Sequence, residues 1–126
     1  MKKYELTTET KMVCGKTLYR IRALNSFEFA KAGDLGGWIE KEENLAQEGN
    51  AWVFGNAKVF GNARVYDRAQ VSGNVSVYDD AQVFGNARVF EYAQVSRNTQ
   101  VSGSALVFDD AQVSGDEGEG KLAVDL

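Results

Sequence analysis

From Ala51 to Asp116 the chain runs in eleven consecutive six-residue units without an insertion: AWVFGN, AKVFGN, ARVYDR, AQVSGN, VSVYDD, AQVFGN, ARVFEY, AQVSRN, TQVSGS, ALVFDD and AQVSGD. The third residue of every unit is valine, from Val53 to Val113, and the first is alanine except at Val75 and Thr99. A six-residue period cannot keep one face aligned on a helix of 3.6 residues per turn, and valine and glycine recur throughout, so a helix is excluded. On an extended backbone the first and third residues point to one side and the second to the other. The pairs that follow, such as Gly-Asn, Asp-Asp, Asp-Arg and Gly-Ser, tolerate tight or left-handed backbone. Each unit therefore reads as a short strand and a corner, and the whole as an all-β solenoid.

With an aliphatic residue and a small one four positions later, as in Val53 with Ala57, Val59 with Ala63 and Val65 with Ala69, the repeat resembles the hexapeptide-repeat proteins. The resemblance implies a left-handed, triangular parallel β-helix over 45–116, with three units per coil. Val53, Val71, Val89 and Val107 would then stack on one wall; Val59, Val77, Val95 and Val113 on the second; Val65, Val83 and Val101 on the third. With strands about 4.8 Å apart, some four coils rise to only about 19 Å.

A solenoid needs closed ends, and residues 1–44 read as an N-terminal cap. The stretch from Lys11 to Arg22 reads as a β-hairpin turning near Gly15, with Val13, Leu18 and Ile21 available for burial. Lys31-Ala-Gly-Asp-Leu-Gly-Gly-Trp-Ile-Glu40 reads as a glycine-rich turn into the first coil. It carries no phosphate-loop signature, because the lysine-serine/threonine pair and a following helix are missing. This segment, continued by Lys-Glu-Glu-Asn-Leu45, is similar to one in small bacterial and bacteriophage hexapeptide proteins, which implies a phage or prophage setting. Residues 117–126 form an acidic, glycine-rich tail whose Leu122-Ala-Val-Asp-Leu126 end suits covering the last coil or binding a neighbour.

The chemistry offered is narrow. There is no histidine, so the commonest general base and metal ligand is missing, and Cys14 stands alone, which excludes an intrachain disulfide and a thiolate cluster. Cys14 is expected to be a partly buried small hydrophobe. The net charge is −4 and none of the segments 1–50, 51–116 and 117–126 is basic, which argues against a nucleic-acid polymer as partner. No apolar run approaches the ~20 residues that cross a bilayer, and the start lacks an apolar signal core, so a cytoplasmic protein is expected, in the host cell if phage-encoded. Asp79-Asp80 and Asp109-Asp110 fall at corners as solvated turn residues, and no metal site or cofactor is expected.

The residue after each core valine faces outward: Phe54, Phe60, Tyr66, Ser72, Tyr78, Phe84, Phe90, Ser96, Ser102, Phe108 or Ser114. Trp52, Lys58, Arg64 and Arg88 occupy the other outward position. Seven rings in water predict a homo-oligomer. Rings beside arginines also suit a small anionic, nucleotide-like ligand, which points to Arg64, Arg88, Phe60, Tyr66, Tyr78 and Phe84 as binding residues. Hexapeptide proteins include histidine-dependent acyltransferases, a chemistry this chain cannot supply in that form, so the sequence favours a non-enzymatic binding protein without catalytic residues. In the phage setting one version is a host-defence antagonist that sequesters a signalling nucleotide. The alternatives are a structural or polymer-forming module, and a histidine-independent acyltransferase-like enzyme using carboxylates or Tyr66 and Tyr78.

Overall fold

A computed structural model describes residues 2–114; the acidic tail from Glu117 onward lies outside the described residues. The chain opens with two long strands, β1 (Tyr4–Val13) and β2 (Lys16–Ala23), paired antiparallel with Val13 opposite Lys16. The hairpin turns at Cys14 and Gly15, both in the left-handed region, with φ of 51° and 78°. Cys14 is exposed there rather than partly buried, because a two-residue turn points its side chains away from the strand pair.

β3 (Leu35–Ile39) pairs antiparallel with β2 on one side and parallel with β5 (Lys58–Val59) on the other, welding the hairpin to the solenoid as one continuous sheet. The stretch read as a turn is thus a strand. Gly36 and Gly37 sit inside it because nothing larger fits: a Cβ on Gly36 would lie 2.7 Å from Ile21 Cγ1, and one on Gly37 would lie 2.7 Å from Ala57 O.

Three walls follow. The first holds β4 (Trp52–Val53), β7 (Gln70–Val71), β10 (Arg88–Val89) and β13 (Leu106–Val107). The second continues from β5 through β8 (Ser76–Val77), β11 (Gln94–Ser96) and β14 (Gln112–Ser114). The third has β6 (Arg64–Val65), β9 (Gln82–Val83) and β12 (Gln100–Val101). All pairings within the walls are parallel and offset by eighteen residues, as in Trp52 with Gln70, Lys58 with Ser76 and Arg64 with Gln82, so three units make one coil. The repeat valines from Val53 to Val107 are at most 1% exposed, and only Val113, in the last coil, is half-buried. Each buried valine contributes about 1.5–3 kcal/mol of transfer free energy.

Corners turn at the fifth residue of each unit in left-handed backbone, occupied by glycine or by Asp67, Asp79, Glu91, Arg97 and Asp109, with φ between 57° and 67° at these five. Three of these carboxylates also tie coils together, because Asp67, Asp79 and Glu91 accept the backbone N–H of Gly85, Arg97 and Asp109 one coil on. Asp79, Asp80, Asp109 and Asp110 are all exposed, as turn residues are expected to be, and of these four Asp79 also makes such a bond.

The first coil is irregular. Trp38 pairs with Lys58 and Leu45 with Val65, offsets of twenty, whereas Trp52 pairs with Gln70, an offset of eighteen. Two extra residues therefore lie in 46–51. Gln47 in this loop exchanges hydrogen bonds with the Lys3 and Tyr4 backbone, and Lys3 Nζ donates to Ala51 O at 2.7 Å. The N-terminal strand thereby closes over Trp52, which meets Tyr4 and Phe27 edge-on, with the Phe27 ring centre 5.2 Å away. Trp52 is 1% exposed, not outward-facing in water, because the cap covers the outer side of the first wall's top strand.

Candidate functional site

Pleat alternation puts the second and fourth residues of each unit on the outer faces, and the eighteen-residue offset stacks like upon like. Tyr66 lies on Phe84 with ring centres 4.9 Å apart and planes within 2°. Phe60 stacks on Tyr78 at 5.3 Å, and Phe90 on Phe108 at 5.3 Å. Stacking covers much of the ring surface: Phe60 is buried, and Phe54, Tyr66, Tyr78, Phe84, Phe90 and Phe108 are half-buried. Offset stacks contribute about 0.5–1.5 kcal/mol each beyond area burial.

The six expected binding residues are divided among the walls. Phe60 and Tyr78 sit on the second, where Leu18 and Trp38 join Phe60 in a small outer core. Arg88 lies on the first, its Cζ 5.6 Å from the Phe90 ring. Arg64, Tyr66 and Phe84 share the third, with Arg64 Cζ 5.9 Å from the Tyr66 ring. Of this last group, Arg64 and Tyr66 border a cleft, and Phe84 stacks behind Tyr66.

The cleft owes its other side to the segment before the repeats. A short 3-10 turn, η1 (Glu42–Asn44), is held by Asn44, whose Oδ1 accepts the Glu40 and Lys41 N–H groups and whose Nδ2 donates to Ala63 O. This anchors 41–47 as a lip beside β6. A hollow of about 170 Å³ is lined by Glu42, Glu43, Gln47, Arg64 and Tyr66. A shallower groove of about 520 Å³ adjoins it, between Lys41, Glu43, Asn62 and Arg64. Lys41 Nζ bonds Asn62 Oδ1 at 3.2 Å, and Glu42 is occupied by Lys2 at 2.7 Å. No carboxylate among the described residues lies within salt-bridge distance of Arg64. Tyr66 donates to Gln82 Oε1 at 2.9 Å, and desolvation, then the charge of Asp67, raises its pKa against the opposing pull of Arg64. Its hydroxyl therefore remains a donor at neutral pH.

Lys41, Glu43 and Gln47 were missed as site residues because they lie outside the repeat. Their one sequence signal is position, immediately before the first regular unit.

A family model described as the YdcK beta solenoid repeat matches residues 81–97. The chain is also 37% identical over 62 residues to a protein of Escherichia coli (strain K12) named uncharacterized acetyltransferase YdcK, a match covering 43% of this chain and 19% of that protein. The chain thus spans about a fifth of that relative's length. The match overturns the exclusion of enzymatic activity drawn from the missing histidine, since a similar solenoid carries an acetyltransferase name. The physical reason is that histidine is the commonest general base and not the only one: a carboxylate also accepts a proton when positioned, and Glu43 lines the cleft.

Proposed function

We propose that this chain, whose solenoid and matches fit the hexapeptide-repeat β-helix proteins, holds an anionic, nucleotide-like ligand in the cleft between the 41–47 lip and the third wall. The observation that carries the reading is Arg64: a guanidinium without a carboxylate partner among the described residues, at the rim of a cleft and beside a stacked ring platform. Arg64 and Lys41 supply two positive charges against the one of Glu43, so the groove is locally positive on a chain of net charge −4. Arginine presents a planar fork to phosphate, and the Tyr66–Phe84 pair offers a surface on which a base can stack.

The acetyltransferase name of the relative suggests the class of ligand: an acetyl thioester carried on a nucleotide combines phosphates with a base. Glu43 is placed to accept a hydroxyl or amine proton. The similarity of 31–45 to phage-type hexapeptide proteins supports a second use of the same cleft, retention of a signalling nucleotide in host-defence antagonism. In either case we take the protein to be a homo-oligomer, with the half-buried ring ladders as its contact surfaces.

The test is calorimetry with acetyl-coenzyme A on the wild type and on Arg64→Ala, followed by mass spectrometry of the recovered ligand. Loss of one charge-assisted contact, about 1.5–3 kcal/mol, should weaken binding roughly ten- to a hundredfold at an unchanged melting temperature. Equal affinity in the two proteins would contradict the assignment. With a primary amine added as acceptor, recovery of free coenzyme A together with the acetylated amine identifies transfer, and recovery of the intact ligand identifies retention.

A further inference from the structure

The outer face of the second wall holds a feature that the cleft does not use. Where β1, β2, β3 and β5 lie side by side, three cationic side chains gather around one indole. Lys11 Nζ stands 4.4 Å from the centre of the Trp38 ring, and Arg20 Cζ stands 4.6 Å from it. Lys58 is the register partner of Trp38 on the neighbouring strand. It is half-buried, and its Nζ donates to Asn56 O at 3.3 Å.

The counter-charge is thin. Lys11 and Lys58 have no carboxylate within salt-bridge distance among the described residues. Arg20 Nε has Glu9 Oε1 at 3.7 Å, beyond hydrogen-bond length, and is a buried donor without an acceptor. Trp38 Nε1 is a second such donor, on a side chain only 4% exposed. Glu40, next along β3, is engaged elsewhere: one oxygen accepts the Gly61 N–H and the other lies 3.9 Å from Lys16.

Cation–π contact accounts for Lys11 and Arg20 lying against the ring. It does not account for a third cation beside them, because like charges at short range repel and a half-buried site screens them poorly. The Lys58 ammonium shows the cost, its pKa lowered by burial and then by the charge of Lys11.

We propose that Lys11, Arg20 and Lys58 around Trp38 form a second ligand site, for a compact, multiply charged oxyanion of the phosphate or pyrophosphate type. Arg20 and Lys58 flank Trp38 from the strands on either side and Lys11 lies against the same ring, so the charges are grouped about one residue, which suits a small group better than an extended acidic peptide. Arg20 offers a fork and the lysines two movable point charges, the usual division of labour around phosphate. The Phe60–Tyr78 stack continues down the same wall and gives an organic remainder of the ligand a surface to lie along.

The experiment is a titration of the full chain with inorganic phosphate, with pyrophosphate and with a glutamate-rich peptide. It is followed by the indole N–H resonance of Trp38, assigned with Trp38→Phe, with Trp52 as the internal control. The expected result is a saturable shift of the Trp38 signal with pyrophosphate and weaker binding of phosphate. In Lys11→Gln/Lys58→Gln the affinity for pyrophosphate should fall at least tenfold, while the melting temperature without ligand stays equal or rises because the repulsion is gone. Because the readout is local to Trp38, binding at the Arg64 cleft does not register in it. The proposal is overturned if the wild type shows no saturable shift at millimolar pyrophosphate, if the double variant binds as tightly, or if the peptide binds more tightly than pyrophosphate.

Discussion

Lys3 gives its ammonium to two backbone carbonyls, Ala51 O at 2.7 Å and Gly49 O at 3.3 Å, in a place where the residue is 6% exposed. Burial lowers its pKa from 10.5 to about 8. Below pH 8 both folded and unfolded chains carry the proton, and the folded state bears the full cost of the buried charge, at most about 3 kcal/mol. Between pH 8 and 10.5 the unfolded chain holds a proton that the folded one has released, so stability rises with pH across that window. Above pH 10 the opposite shift of the buried Tyr4 hydroxyl, raised by desolvation and by Glu42 and Glu43, works against it. Lys3→Met should remove the rise specific to Lys3: the urea midpoint of the wild type should rise relative to that of the variant as pH goes from 8 to 10, and a constant difference would refute this. At this scale the sequence was readable where a residue belongs to the repeat. Val83 is buried as its place in the hexad demands, whereas Trp52 holds an outward repeat position and is covered by Tyr4 and Phe27. A contact between residues so far apart in the chain leaves no trace in local pattern.

At the level of elements, β3 carries the junction between hairpin and solenoid, and Gly37 sets how closely they meet. A Cβ there would stand 2.7 Å from Ala57 O and 2.7 Å from Val53 Cγ1. Ala57 O accepts the Trp38 N–H at 2.9 Å, so it cannot retreat without breaking the ladder between β3 and β5. Gly37→Ala should therefore cost about 1–3 kcal/mol, read as a lower urea midpoint with the slope retained, and an unchanged midpoint would show that the strand has room to move. The sequence favoured a turn here because a glycine pair is a strong turn signal, and steric closeness across strands is invisible to that signal. The hairpin was legible near Gly15 because alternation and turn chemistry are both local, although β1 reaches back to Tyr4, well before the stretch that alternation marked. The lip at 41–47 was not legible as part of a site, since its position depends on Asn44 reaching the backbone of a coil that comes later in the chain.

Over the whole molecule, one number organises the fold: eighteen residues per coil, visible in the valine register of the sequence and kept through all three walls. The same offset stacks the rings, and that changes what they signify, because rings expected to stand in water shield one another. The candidate cleft follows the break in the repeat instead of the repeat itself. The two residues inserted in 46–51 and the turn at η1 give the third wall a facing lip, and Arg64 is the one cation of the repeat that borders it. The measurement that tests this most directly is a backbone amide NMR titration of the full chain with acetyl-coenzyme A. Saturable shifts are expected in 41–47 and 62–66 and at Phe84, with the amides of β10 and β13 unmoved. Shifts centred on Arg88 and Phe90, or none at millimolar ligand, would contradict this.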